Sequence, residues 1–197
     1  AAGDYSGVSV SLDSDGDRVA IGGYFNDGSY SDAGHVRIYE YSGGTWSRLG
    51  SDIDGEAAGD QSGVSVSLDS DGDRVAIGAY NNDGNGSDAG HVRVYSWDGS
   101  SWNQLGNDID GEAAGDKSGI SVSLDSDGDR VAIGAHYNDG SYSDAGHARI
   151  YSWGGSSWNQ LGSDIDGEAA DDRFGRSVSL DSDGDRVAIG AYNNDGN

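Results

Sequence analysis

The chain has no cysteine, no methionine and no proline, and only 11 of its 197 residues are lysine or arginine. Without cysteine there is no disulfide framework, no thiolate metal site and no cysteine nucleophile. Set against 35 acidic residues, the few basic ones leave a formal charge of −24. A surface of that sign repels phosphate backbones and anionic lipid, so nucleic acid is excluded as a partner class. It suits either a solvated exterior or divalent cations. Long apolar runs are also missing, so no segment has the length of a membrane-crossing helix and no membrane insertion is expected. The chain starts at Ala1 with neither an initiator methionine nor a signal peptide, as expected of a mature product or a piece of something longer.

What is abundant is glycine, at 35 residues, and with it a repeat. "AAGDYSG" at Ala1 returns as "AAGDQSG" at Ala57, "AAGDKSG" at Ala113 and "AADDRFG" at Ala169, each 56 residues after the last. The expected organisation is three repeats, 1–56, 57–112 and 113–168, and the first two strands of a fourth over 169–197. Within the repeat, apolar residues alternate at period two. "GVSVSL" sets Val8, Val10 and Leu12 against Ser9 and Ser11, and "RVAIG" sets Val19 and Ile21 against Ala20 and Gly22. "HVRIYEY" and "TWSRLGSDI" follow, with clusters of Gly, Asp, Asn and Ser between the runs. No window has helical periodicity, so the fold class is all-β, with four antiparallel strands per repeat. A small face of Ser, Ala and Gly opposite bulky Tyr, Trp and His predicts face-to-face stacking of tandem blades. The architecture is then a β-propeller or an open, propeller-like repeat array. Three and a half blades do not close a ring, so the expectation is a longer natural chain, ring completion by association, or a filament.

The order of these signals resembles the FG-GAP repeat of integrin-alpha-type propellers. Phe174-Gly175 is a literal Phe-Gly, and Ser6-Gly7, Ser62-Gly63 and Ser118-Gly119 hold its place elsewhere. "IGGY", "IGAY" and "IGAH" stand where Gly-Ala-Pro would, without the proline, and "AGHVRIY" and its copies match the third strand. These departures are those of a divergent member, bacterial or algal in kind. The resemblance implies an extracellular or cell-surface propeller used in adhesion or assembly, often with calcium in its blade loops.

Two acidic loops are candidates for that calcium. "SLDSDGDRV", from Ser11, places Asp13, Asp15 and Asp17 at alternate positions, but the ninth position falls on Ile21, inside the second strand. Asp15-Gly16 is also a favoured hairpin turn, and the hairpin accounts for every residue of the motif. "DIDGEAAGD" spaces its oxygens better. Its candidate ligands are Asp52, Asp54, Glu56 and Asp60, repeated as Asp108, Asp110, Glu112 and Asp116 and as Asp164, Asp166, Glu168 and Asp172. The alternative is a solvated connector between blades, anchored by an inward Ile53.

Every acidic constellation, and each of His35, His91 and His147, is copied from repeat to repeat, whereas an active site needs asymmetry. The non-repeating His136, Lys117, Arg173 and Arg176 form no acid–base set, so no enzyme is expected. Trp97 and Trp102, like Trp153 and Trp158, flank hairpin turns and are expected to pair across strands, with stacking on sugars as the other use. The sequon Asn85-Gly86-Ser87 is a candidate glycosylation site in an exposed loop. The leading expectation is a non-enzymatic extracellular protein of adhesion or self-assembly, its partners being its own repeats or chains, glycans or cell-surface proteins. The alternative is a calcium-dependent carbohydrate- or protein-binding module.

Overall fold

Alternating apolar and small residues bounded by glycine-rich turns favour short antiparallel strands over helices. The computed structural model describes residues 3–196 and contains no helix among them. Ala1, Ala2 and Asn197, the outermost residues of the first repeat and the partial fourth, lie outside the described residues. The first repeat forms β1 (Ser9–Leu12), β2 (Arg18–Gly23), β3 (His35–Ser42), β4 (Thr45–Arg48) and β5 (Ile53–Asp54). The second forms β6 (Ser65–Leu68), β7 (Arg74–Ala79), β8 (His91–Trp97), β9 (Trp102–Gln104) and β10 (Ile109–Asp110). The third forms β11 (Ser121–Leu124), β12 (Arg130–Ala135), β13 (His147–Trp153), β14 (Trp158–Gln160) and β15 (Ile165–Asp166). A final hairpin, β16 (Phe174–Leu180) with β17 (Val187–Ala191), is the two-stranded start of a further blade.

Each complete sheet runs in chain order, β1-β2-β3-β4 in the first, with β5 pairing with β3 beyond the end of β4. The outer strand therefore differs from the continuous run expected of "TWSRLGSDI". The Leu49 amide still donates to the Ile38 carbonyl at 2.8 Å, and the chain then turns at Gly50, whose φ is +79°. A Cβ on Gly50 would stand 2.8 Å from Cζ3 of Trp97 in the next repeat. The break is local to the glycine, because Gly162 interrupts β14 and β15 with φ +73° and no neighbour within 4 Å, and the indole of the next repeat packs into the space at Gly50. Trp97 and Trp102 pair across β8 and β9 with ring centroids 5.4 Å apart, as the sequence suggested, and the Trp102 Nε1–H also donates to the Leu49 carbonyl at 3.0 Å.

Successive sheets stack face to face. The small face of the first blade, with Ala20, Val36, Ile38 and Ile53, packs against Val66, Leu68, Val75, Ile77 and Tyr95 of the second. The next seam repeats this, with Ala76, Val92, Val94 and Ile109 under Val122, Leu124, Val131, Ile133 and Tyr151. Burying one such aliphatic side chain is worth about 1.5–3 kcal/mol. The serines of the small face bond across the seam. The Ser9 hydroxyl donates to the Gly63 carbonyl at 2.7 Å, and the Leu68 amide donates to the Ser11 hydroxyl at 2.9 Å. Gly22 lies so close to Gly63 that a Cβ there would overlap the Gly63 carbonyl oxygen, and Gly63 itself has φ +87°.

The same position can be core in one blade and surface in another. Leu68 is 7% exposed and Leu12, its copy in the first repeat, is 59% exposed. Leu68→Ala is therefore expected to cost about 2–4 kcal/mol and Leu12→Ala less than about 0.5 kcal/mol in urea unfolding at low protein concentration.

Candidate functional site

The motif "SLDSDGDRV" is a hairpin turn in all four copies. The carboxylate of Asp13 accepts the Arg18 amide at 3.1 Å across the turn joining β1 and β2, and Asp69, Asp125 and Asp181 do the same for Arg74, Arg130 and Arg186. The turns are also tied to one another. The Ser14 amide donates to the Ser70 carbonyl at 3.0 Å, Ser70 to Ser126 at 3.0 Å, and Ser126 to Ser182 at 3.1 Å. The four Leu-Asp-Ser triplets line one shared pocket. Burial pushes the Asp69 carboxyl up to about 6 and raises that of Asp125. These aspartates cap backbone amides, and the turn is too short for a ring of calcium ligands.

The connector "DIDGEAAGD" divides its four carboxylates among separate partners. Arg37 holds Asp52 through both carboxylate oxygens at 2.9–3.1 Å, Arg48 adds a contact at 2.8 Å, and the Arg37 hydrogen bonds hold the Asp52 carboxyl below its ordinary value. Asp60 is buried and turned elsewhere. It accepts the Ala57 amide at 2.9 Å and the side-chain amide of Asn82 at 3.1 Å. Asp116 and Asp172 repeat this with Ala113 and Asn138, and with Ala169 and Asn194. Asp54, Asp110, Asp166 and Glu168 stay exposed, and Asp166 accepts the Ser141 hydroxyl at 3.0 Å. Ile53 is buried, as the connector reading requires. So divided, the four connector residues do not fit a single calcium ion.

Metal-capable side chains do converge, but across repeats. Among the described residues, three groups lie close enough for each to share one ion: His35 with Asp52 and Asp54, His91 with Glu56 and Asp108, and His147 with Glu112 and Asp164. None contains Asp60, Asp116, Asp172, Asp110, Asp166 or Glu168. The second and third groups take their glutamate from one blade and their histidine and aspartate from the next. That arrangement escapes a reading of single loops, and its only sequence signal is the histidine opening every third strand.

Arg93 sets this geometry. Its Nη2 donates to the Asp54 carbonyl of the preceding blade at 3.0 Å and its Nη1 stands 3.2 Å from Glu56 Oε1. Arg149 does likewise toward Asp110 and Glu112 at 2.8 and 3.5 Å. His91 is 1% exposed, and its burial, reinforced by Arg93, lowers its pKa to about 4. Burial lowers His147 and His35 in the same direction.

The sequon loop is exposed at Asn85, and the Asn85 side-chain nitrogen is engaged. It donates to the Gly111 carbonyl at 2.8 Å and the Glu112 carbonyl at 3.3 Å. Glycosylation at that nitrogen requires both bonds to open.

The FG-GAP repeat family model matches residues 53–95 and 164–197, the same stretch of the 56-residue unit two repeats apart. Those two segments carry the FG-GAP repeat, and the fold is β-propeller-like, with sheets that do not close into a ring among the described residues. A Bacteroides uniformis protein assigned as a 6-phosphogluconolactonase is similar in structure, with TM-score 0.61 and 10% identity over 92% of this chain and 46% of that one. The nidogen/laminin complex is similar with TM-score 0.54 and 11% identity, covering 92% of this chain and 55% of that one. At such identities the likeness concerns the fold alone, and this chain spans about half the length of either structure. No curated protein sequence matches it.

The buried histidines give a pH dependence of defined sign. Between pH 6.5, the ordinary histidine value, and about 4, the unfolded chain binds a proton at position 91 that the folded chain refuses. The stability held by neutral His91 is complete above pH 6.5 and is lost as pH falls toward 4. Imidazole NMR signals are expected to show His91 and His136 neutral at pH 5.5, both having values near 4.

Proposed function

We propose that this chain is a non-enzymatic, extracellular repeat protein of adhesion or structural self-assembly, whose binding surface is an uncovered blade face. One observation carries the reading. Val10 and Leu12 of the first blade are 63% and 59% exposed, whereas their copies Val66 and Leu68 are 9% and 7% exposed beneath the preceding sheet. Tyr41 and Trp46 extend the patch at 46% and 48%. A face already built to receive the small Ser/Ala face of a blade is complementary to another surface of that kind, presented by a further repeat or by a second copy of the chain. Glycans or cell-surface proteins are further partners of the same exposed aromatics. The FG-GAP assignment supports an extracellular setting, and no helix among the described residues is long and apolar enough to cross a membrane. The copying of the acidic constellations and of His35, His91 and His147 in successive repeats supports a non-catalytic role.

The other reading, a calcium-dependent carbohydrate- or protein-binding module, needs the connector carboxylates free, and Asp52 and Asp60 are already held by arginine and asparagine. On the self-assembly reading, millimolar calcium leaves the melting temperature unchanged.

Sedimentation velocity tests the leading reading. The wild-type chain is expected to associate as its concentration rises through the micromolar range, and Val10→Asp with Leu12→Asp to remain monomeric with an unchanged circular dichroism spectrum. A wild-type chain that stays monomeric at high concentration overturns it.

A further inference from the structure

We propose that Glu56, His91 and Asp108, and again Glu112, His147 and Asp164, hold a divalent transition-metal ion of the zinc class across the seam between blades. The site is separate from the exposed face used above, and its case does not depend on self-association.

The donors are poised and otherwise unsatisfied. His91 is buried, and neither ring nitrogen has a hydrogen-bond partner; the same holds for His147. His91 Nδ1 points at Asp108 Oδ2 at 3.6 Å and Glu56 Oε2 at 4.0 Å, too long for hydrogen bonds. His147 Nδ1 repeats this at 3.9 Å from both Asp164 Oδ2 and Glu112 Oε2. Zinc bonds nitrogen and oxygen at 2.0–2.2 Å, so tetrahedral ligands stand about 3.4 Å apart, close to these separations. In the tautomer with its proton on Nε2, the imidazole turns an Nδ1 lone pair toward two carboxylate oxygens, a donor set that a cation between them satisfies.

The second oxygen of each carboxylate is already fixed. Gln104 donates to Asp108 Oδ1 at 2.6 Å and Gln160 to Asp164 Oδ1 at 2.6 Å. The Arg93 and Arg149 guanidiniums stand on Glu56 Oε1 and Glu112 Oε1. Each carboxylate is thus oriented by one oxygen and turns the other toward the histidine, the arrangement that outer partners impose at metal sites. An imidazole with two carboxylates suits zinc and its first-row neighbours, while calcium takes oxygen ligands alone. The first blade differs in the residues that orient it, since Arg37 and Arg48 both hold Asp52, leaving it no oxygen as open as those of Asp108 and Asp164.

Untagged chain, stripped with chelator and dialysed against zinc chloride at neutral pH, is expected to retain two zinc ions by elemental analysis. Glu56→Gln with Glu112→Gln, both exposed positions, is expected to bind at least tenfold more weakly at both sites while keeping the wild-type circular dichroism. His91→Gln alone lowers the count to one, provided it folds. Cobalt titration adds a spectroscopic readout, a visible absorption of low-coordinate cobalt that the glutamine variant lacks. The proposal is overturned by no retained zinc, by a count unchanged in the double glutamine variant, or by calcium displacing zinc at equal concentration.

Discussion

Everything in this molecule depends on how closely one sheet can approach the next. The approach is set at Gly22 against Gly63, where any side chain would collide with a main-chain carbonyl, and Gly78 and Gly134 repeat it against Gly119 and Gly175. At that distance a serine hydroxyl reaches the neighbouring backbone, as Ser9, Ser65 and Ser121 do at 2.7–2.8 Å. The large faces then fall into register with the small ones, and each blade acquires a core only by sharing it with its neighbour. Isolated, one blade would leave its apolar face in water, the general condition of repeat proteins.

That dependence explains which parts of the structure were legible in the sequence. Hairpins and faces were, because they follow from local chemistry. Asp15-Gly16 makes a turn, and the alternation in "GVSVSL" assigns Val66 and Leu68 to one side without knowledge of the rest. The Phe-Gly position is informative in the same way. Its glycine keeps φ between +84° and +92° in all four copies, while the residue before it changes from serine to phenylalanine.

What could not be read is whatever one repeat imposes on another. Nothing within "TWSRLGSDI" announces that Trp97 of the following repeat packs on Gly50, although the break there is local, since Gly162 interrupts its strand with no neighbour within 4 Å. Counting ligand positions along "DIDGEAAGD" grouped Asp52, Asp54, Glu56 and Asp60 on spacing alone. In the fold Asp60 turns inward to Asn82, and Glu56 turns outward to His91 and Arg93 of the next blade. Repetition of a histidine argues against an active site, yet a seam that recurs can repeat a ligand set as readily as a core.

One contact gives the array a direction. Arg18 extends from its own turn to the carbonyls of Asp71 and Gly72 in the next blade, Arg74 reaches those of Asp127 and Gly128, and Arg130 that of Asp183. Arg186 has no described blade beyond it, lies 80% exposed, and folds back on Asp181 and Asp185. The donor is a side chain and the acceptor is main chain. Losing the arginine removes the bond, whereas a change in the accepting turn leaves its carbonyls in place as long as the backbone keeps its shape; Gly72 is held to glycine, with φ +64° and Arg18 packed against it.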